Sequence, residues 1–173
     1  MKTIKIAIVL LIISVSTTKG QLATSTVNKN QSTSKTLIDN KMENNALQVV
    51  TDFLTAVQKG DHAKLTTIIH PAIEWDQPGN NRFSGIKKSA TEVFQMVGGM
   101  FHYSENTLAL TKIDVIAING NSVACLLHWK AAQQVGKTMS VDNIDVYTVE
   151  NGQITKAKIY SADLAQENGF WGN

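Results

Sequence analysis

The spacing of hydrophobic residues in the middle of the chain predicts an amphipathic helix. Leu47, Val50, Leu54 and Val57 recur at intervals of three or four residues, and Phe53 lies beside them. This period places all five side chains on one face of a helix. The polar residues between them would then face solvent, so the helix is expected to pack against a core on one side only.

Capping residues indicate two further helices. Asp61 follows a glycine and can cap a short helix, which ends before Pro71 because the residue before a proline avoids helical geometry. Ser89 and Glu92 form an S-x-x-E capping box at the start of a third helix. Between these two helices, residues 72–75 are predicted to form a short strand that leads into a proline–glycine loop.

The pattern changes to that of β-strands in the second half of the domain. Four segments, 107–118, 122–132, 138–149 and 154–162, are rich in β-branched and apolar residues and are separated by polar turns. Helices followed by strands predict an α+β domain, with N-terminal helices packed on one face of a curved antiparallel sheet. Such a sheet forms a cone-shaped barrel with one open mouth, where ligands usually bind.

The first 44 residues differ in composition from the rest of the chain. Residues 1–20 have a basic head, an apolar run from Ile6 to Val15 and small residues after it, which is the pattern of a signal peptide. An uncleaved membrane anchor is the alternative. Residues 21–44 are rich in Ser, Thr, Asn and Lys and predict a flexible linker. The domain is therefore expected at 45–173, in a protein that is periplasmic or secreted.

Charge and cysteine content exclude several classes of function. The net charge is only +2 and no basic stripe is present, so neither nucleic acid nor a membrane surface is indicated as a partner. The single cysteine, Cys125, lies in an apolar segment and is predicted to be a core residue. No metal-binding or nucleotide-binding motif is found in the sequence, so neither a metal nor a cofactor is predicted.

The turn of the last hairpin determines where Asp145 points. A two-residue turn at Asn151-Gly152 would pair Asp145 with Lys158 and expose both side chains. A three-residue loop with Gly152 in a bulge would instead pair Asp145 with Ala157 and turn it inwards. The second register is preferred because it turns both lysines of the last strand outwards.

In the preferred register Asp145 faces the interior of the cone. Burial there raises the pKa of a carboxylic acid, and the neutral acid can donate a hydrogen bond to a developing oxyanion. Asp76, next to the proline–glycine loop, would lie ionised at the mouth and act as a base, although capping of a turn is the alternative. Ile144 and Val146 would then form an apolar patch on the outer face, suited to a dimer interface.

Four segments, read in chain order, resemble a known family. They are FLTAVQKGD at 53–61, IIHPAIEWDQPG at 68–79, FSGIKK at 83–88 and IDVYTVENGQI at 144–154. The sequence resembles the SnoaL-like branch of the nuclear-transport-factor-2-like superfamily, which includes ketosteroid isomerases and SnoaL-type polyketide cyclases. The resemblance covers roughly residues 45–173. It implies a cone-shaped α+β barrel with a deep apolar pocket, usually in a homodimer.

The resemblance also implies roles for individual residues. Asp76 matches the catalytic base of ketosteroid isomerases, and Asp145 matches their oxyanion-hole aspartate. Phe53 stands where that family has an oxyanion-hole tyrosine, and a phenyl ring cannot donate a hydrogen bond. Loss of one such donor typically costs about 2–4 kcal/mol of transition-state stabilisation. Tyr103 and Tyr147 are the alternative sources of a hydroxyl group.

The resulting hypothesis is an exported protein with a pocket for a small apolar or carbonyl-containing molecule. The pocket wall is predicted to include Phe53, Trp75, Phe94, Trp129, Tyr147 and Ile159. The favoured mechanism is of the isomerase or cyclase type, in which Asp76 abstracts a proton next to a carbonyl and Asp145 stabilises the enolate. Two alternatives remain open, a non-catalytic binding module and a dimeric scaffold domain, because fold alone does not decide function.

Overall fold

The computed structural model describes residues 28–134 and 136–172 of the chain. Helices and a single sheet follow one another in the predicted manner, so the α+β class is confirmed. The elements are α1 (Asn28–Lys59), α2 (His62–Ile68), β1 (Ile69–Gln77), β2 (Gly85–Lys87), α3 (Ala90–Tyr103), β3 (Ala109–Asn119), β4 (Ser122–Ala132), β5 (Thr138–Glu150), β6 (Gln153–Ser161) and α4 (Leu164–Trp171).

The described strands form one curved, unclosed sheet with the order β2-β1-β6-β5-β4-β3. Neighbouring strands are antiparallel except β1 and β6, which run parallel. The sheet is therefore mixed, where the sequence predicted a purely antiparallel one. The long connection between β1 and β6 makes a parallel pairing possible, since parallel neighbours cannot be joined by a tight turn. Helix α1 packs on β3, β4 and β5, and α3 packs on β1.

Helix α1 begins at Asn28, so the predicted flexible linker is helical over residues 28–44. The segment contains neither Gly nor Pro, and a helix nucleated by packing further along can extend through a polar sequence. Residues 34–42 are exposed, as their polar composition suggests, and Ala46 is buried where α1 reaches the core. The predicted signal peptide and residues 21–27 lie outside the described residues.

Among the described residues, no helix is both long enough and apolar enough to cross a membrane.

The last hairpin combines a tight turn with a bulge in β6. Glu150 pairs with Gln153, and Asn151 and Gly152 between them have φ angles of 50° and 80°. Positive φ at both positions is typical of a two-residue type I′ turn. The register then shifts by one residue, because Thr155 is an extra residue in β6 between two successive pairs. The predicted three-residue loop is therefore wrong.

Asp145 nevertheless lies on the predicted side of the sheet, because burial alternates without interruption along β5. Asp145 pairs with Ile159, rather than with Ala157 or Lys158, and it is 3% exposed. Burial alternates along β5, so Ile144 lies on the outer face and is 42% exposed. The expected inward position of Asp145 and outward position of Ile144 are confirmed.

The loop after β1 holds α4 against the sheet. Asn168 Oδ1 accepts hydrogen bonds from the backbone nitrogen of Asn80 and the side-chain nitrogen of Asn81, both at 3.0 Å. The backbone nitrogen of Arg82 donates to the carbonyl oxygen of Gly172 at 2.9 Å. These contacts join residues more than 80 positions apart and dock α4 over one end of the core.

We predict that Gly79→Ala destabilises the protein more than Gly85→Ala. Both glycines have similar φ angles, +94° and +97°, so each substitution adds about 1–2 kcal/mol of backbone strain. Only at Gly79 would the new Cβ meet Asn168 Oδ1, at 2.4 Å, and displace an acceptor of two hydrogen bonds. The additional loss is expected to be roughly 1–3 kcal/mol in urea unfolding. Equal losses for the two variants would contradict the docking role of this loop.

Candidate functional site

A cavity of about 600 Å³ lies between the inner face of the sheet and the helices. Its volume falls in the range of sites for small organic molecules. All six residues that the sequence predicted for the pocket wall do line it, namely Phe53, Trp75, Phe94, Trp129, Tyr147 and Ile159. That these side chains contact a ligand stays a prediction.

The exposed residues of the wall mark the entrance to the cavity. Lys59 and His62, from the turn between α1 and α2, lie on its rim, with Phe101 of α3 also exposed there. The imidazole ring of His62 lies 5.0 Å from the ring of Phe94. The cavity therefore opens between the start of α2 and α3, while β5 forms part of its buried wall.

Three aromatic rings form one side of the cavity. The Phe53 ring centroid lies 5.4 Å from that of Tyr147 and 6.4 Å from that of Trp75, and all three pairs are edge-to-face. Such contacts are favourable beyond the area that they bury, and they restrain the rings. Phe53 thus supplies no hydrogen bond to the site, but it packs against Tyr147 and restrains the ring of that residue.

Asp145 is buried on the inner face of β5 and lines the cavity. Its Oδ2 accepts a hydrogen bond of 2.7 Å from the Tyr147 hydroxyl, while Oδ1 has no partner among the described residues. Burial raises the pKa of Asp145 to about 7; the Tyr147 hydrogen bond opposes the rise and the charge of Glu167 adds to it. A protonated carboxyl group at this position has a hydrogen that it can donate to a ligand oxygen.

A second buried carboxyl group, Glu167, reaches the same cavity from α4. Glu167 is 2% exposed, and the side chains of Ser161 and Asn143 hydrogen-bond to it. Its Oε1 has no partner among the described residues. Burial raises the pKa of Glu167, and the two hydrogen bonds oppose that rise.

Glu167 is not among the site residues predicted from the sequence, although the sequence contains two signals for it. Asp163 caps α4 by accepting from the backbone nitrogen of Gln166 at 2.9 Å, and a cap of this kind predicts a helix. Glu167, Phe170 and Trp171 then follow at i, i+3 and i+4, which places them on one face. All three are buried, so this glutamate shares the apolar face of its helix.

Two amide side chains complete the polar part of the cavity wall. Asn143, on the inner face of β5, is buried, and its Oδ1 has no partner among the described residues. Gln77, at the end of β1, accepts a hydrogen bond of 3.0 Å at Oε1 from the indole nitrogen of Trp75. Both line the cavity. Neither amide can act as a general base, so the proton acceptors of the described wall are to be sought among its two carboxyl groups and His62 at the rim.

Asp76 does not line the cavity, and this corrects the predicted catalytic pair. Side chains alternate along β1, so Trp75 and Gln77 face the cavity and Asp76 faces the opposite side. The Asp76 side chain is 41% exposed, and its Oδ2 lies 3.7 Å from the Nζ of Lys158, its neighbour on β6. The sheet separates Asp76 from Asp145. A base at the mouth and a turn cap are both wrong descriptions of Asp76, which is a strand residue in an exposed ion pair.

Other reactive side chains of the described residues give no sign of a second chemistry. Cys125 is fully buried, and burial raises the pKa of its thiol to about 11, so the thiol stays protonated and unreactive at neutral pH. Within the described ranges, no group of three or more His, Cys, Asp and Glu residues is arranged to hold a metal ion.

Comparisons with known proteins agree with the resemblance found in the sequence. A family model described as "SnoaL-like domain" matches residues 50–157. An uncharacterized protein of Mycobacterium tuberculosis is 26% identical over 125 residues, which cover 72% of this chain and 95% of that protein.

Two solved structures show the same fold. A protein of Xanthomonas campestris with a cystatin-like fold has a TM-score of 0.69 and 36% identity, covering 74% of this chain and 98% of its own. TerC, co-crystallised with polyporic acid, has a TM-score of 0.63 and 14% identity, covering 74% of this chain and 99% of its own. At that identity the likeness to TerC concerns the fold alone.

We predict that Asp145 makes the protein less stable as the pH rises from 4 to 8. The pKa of Asp145 is about 7 in the folded protein, above its ordinary value of 3.8, so folding favours the protonated form. The free energy of unfolding therefore falls as the pH rises through this window, by about 4 kcal/mol at most. The raised pKa of Glu167 acts in the same direction.

Urea unfolding at several pH values tests this prediction. Asp145→Asn, which cannot ionise, should lose much less stability between pH 5 and pH 8 than the wild-type protein. Asp76→Asn is the matched control and should keep the wild-type dependence, since Asp76 lies on the exposed side of the sheet. The same pH dependence in Asp145→Asn and wild type would contradict the buried, proton-carrying state of Asp145.

Proposed function

The chain belongs to the SnoaL-like domain family, and from this membership and the cavity we propose that it binds a small, largely apolar carbonyl compound. One observation carries the proposal: Asp145 Oδ1 is buried in the cavity wall and has no hydrogen-bond partner among the described residues. A ligand whose carbonyl or enol oxygen lies against this carboxyl group would accept the missing hydrogen bond.

The energetics of the empty site support this assignment. A buried polar atom without a partner costs about 1–3 kcal/mol, and a ligand oxygen recovers that cost. Tyr147 holds the other carboxyl oxygen, so the group is oriented before the ligand arrives. Aromatic and aliphatic side chains form most of the remaining wall, and they favour a flat, apolar ligand body. TerC, which shares the fold, was co-crystallised with a small molecule, polyporic acid.

The same geometry suits chemistry in which negative charge develops on a carbonyl oxygen. A neutral Asp145 would stabilise an enolate by a short, charge-assisted hydrogen bond, as isomerase or cyclase activity requires. Asp76 cannot take part as the base, because it lies on the other side of the sheet. The choice between an enzyme and a binding module therefore depends on whether another group in the cavity accepts a proton.

Residues 1–20 support a further part of the proposal, that the domain acts outside the cytoplasm. Their basic head and apolar run have the pattern of an export signal. A small net charge and one buried cysteine are compatible with such a location, since a buried thiol is protected from oxidation.

We also propose that the outer face of the sheet joins two copies of the chain. Ile144 and Tyr160 lie opposite each other on β5 and β6 and are 42% and 50% exposed. Lys158 and Asp142 provide charges of both signs nearby, so a patch of this kind can be complementary to itself across a two-fold axis.

Sedimentation equilibrium tests the dimer. Wild type is expected to be dimeric. The double variant Ile144→Asp/Tyr160→Asp is expected to be monomeric, because its new charges would be buried unpaired in the interface. Ligand binding in the cavity, measured with the phenols described below, should be retained in this variant. Ile86→Asp, which alters an exposed residue of the edge strand β2, is the control. A monomeric wild-type protein at micromolar concentration would contradict this part of the proposal.

We predict that phenols, which resemble an enol in shape and charge, bind at Asp145. Calorimetry with a series of substituted phenols should show tighter binding as the phenol becomes more acidic, because charge on the phenol oxygen strengthens the hydrogen bond. Asp145→Leu, of similar size and without a donor, should bind at least about tenfold more weakly. Asp76→Asn should bind like wild type. Absence of phenol binding in wild type, or equal binding in Asp145→Leu, would overturn the proposal.

A further inference from the structure

Glu167 is the second carboxyl group of a cavity in which the described wall residues include no others besides Asp145. It projects from α4, while Asp145 projects from β5, so two separate elements bring the groups to one space. Each raises the cost of charging the other, since the charge of Glu167 contributes to the raised pKa of Asp145. Charge on one of the two groups therefore disfavours charge on the other.

Of the two carboxyl oxygens of Glu167, Oε1 has no hydrogen-bond partner among the described residues. The side chains of Ser161 and Asn143 lower the pKa of the group by hydrogen bonding. Ser161 Oγ is itself oriented, because it accepts a hydrogen bond of 3.2 Å from the backbone nitrogen of Asp163. Oε1 is thus left without a hydrogen bond, on a residue that lines the cavity.

The environments of the two carboxyl groups differ in the direction that separates an acid from a base. Asp145 receives one hydrogen bond, from Tyr147, whereas Glu167 receives two. Donors stabilise the charged form, so with one proton between the pair the favoured arrangement is neutral Asp145 beside ionised Glu167. Two carboxyl groups whose surroundings differ in this way are suited to complementary roles.

We propose that Glu167 is the base of this cavity and that its Oε1 accepts a proton from the ligand carbon next to the carbonyl group. The inference rests on the proposed function, because Asp145 must hold the carbonyl oxygen. In the step, the C–H bond breaks and its electron pair forms the carbon–carbon double bond of the enolate. The carbonyl π electrons move onto the oxygen hydrogen-bonded to Asp145, and the proton forms an O–H bond to Glu167. Return of that proton to a different carbon gives an isomer without any other reactant.

The position of Glu167 depends on the loop that follows Asp76. Asn168, the next residue of α4, is held by Asn80 and Asn81. The loop after Asp76, which the sequence predicted to lie at the catalytic site, therefore holds in place the helix that carries the proposed base. Asn143 adds an acceptor, Oδ1, that a hydroxyl group on the ligand can satisfy. Three oxygens of the cavity residues lack a partner among the described residues: Asp145 Oδ1, Glu167 Oε1 and Asn143 Oδ1. A ketone with an acidic C–H bond and a neighbouring hydroxyl or enol group can interact with all three.

Deuterium uptake into 2-tetralone, a bicyclic ketone, tests the inference. The full-length protein is incubated with the ketone in D₂O, and NMR follows exchange at the carbons next to the carbonyl. Wild type should accelerate the exchange, and Glu167→Gln should lose at least about a hundredfold of that rate, the usual contribution of a general base. Asp76→Asn, which makes the same carboxylate-to-amide change outside the cavity, should keep the wild-type rate.

Phenol binding, measured on the same proteins, separates the two claims. If wild type binds no phenol, the proposed function fails and the inference with it. If wild type binds phenol but does not accelerate exchange, or if Glu167→Gln exchanges as fast as wild type, only the role of Glu167 is overturned. Glu167→Gln should still bind phenol within a few-fold of wild type.

A second variant keeps the test decisive if Glu167→Gln does not fold. Ser161→Ala removes one of the two donors that hold the Glu167 carboxylate and leaves the carboxylate in place. It should slow the exchange about tenfold, in line with the loss of one hydrogen bond to a charged group, and leave phenol binding unchanged. An unchanged exchange rate would count against Glu167 as the base.

Discussion

The extra residue in β6 at Thr155 decides which side chains of β6 share the inner face of the sheet with Asp145 of β5. Side chains of a strand alternate between two faces, so one inserted residue exchanges the inner and outer sets of everything beyond it. Past the bulge, Asp145 shares the inner face with Ile159. Without it, Asp145 would pair with Lys158 across a regular hairpin. The single irregularity therefore keeps Lys156 and Lys158 off the inner face and places Ala157 and Ile159 there beside the buried carboxyl group.

The sequence predicted the face correctly while misplacing the bulge, and the reason lies in what a pattern of charges can constrain. The two lysines of β6, which alternate with Ala157 and Ile159, define which side is outside, because charged groups resist burial. They do not define where along the hairpin the extra residue sits. A bulge at Gly152 and one at Thr155 give the same faces, with pairings that differ by two residues.

Asp76 was misassigned for a different reason, the length of a strand. The sequence predicted a strand over 72–75, which leaves Asp76 in the following loop, where its side chain can point anywhere. In the structure β2 pairs with β1 as far as Gln77 opposite Gly85, so the strand continues through Asp76. Alternation then places Asp76 outside and Gln77 inside. Strand ends depend on what pairs with them, and a three-residue partner strand leaves little trace in a sequence.

The sequence signals around Glu167 indicate a short helix with Glu167 on its apolar face, but they do not indicate that this face is buried, because burial is a tertiary property. An isolated helix of eight residues is not stable, so α4 exists through its contacts with the rest of the protein. Those contacts include the hydrogen bonds of Asn168 to the loop after β1 and the packing of Trp171 on Phe83, whose ring centroids lie 5.3 Å apart. Without these contacts, a glutamate in such a short segment would be predicted to be exposed to solvent. Its position next to an anchored asparagine is what turns it into part of the cavity.

Burial of two carboxyl groups in one cavity makes the free energy of folding less favourable, and this penalty is informative about the function of the cavity. Burial raises the pKa of both groups, and each retains an oxygen without a partner among the described residues. A protein that needed only an apolar container could fill both positions with leucine and methionine, which usually costs nothing and often adds stability. Polar groups that remain under such a penalty cluster at functional sites. The arrangement thus favours a ligand with oxygens of its own, and the unequal hydrogen bonding of the pair favours chemistry over storage.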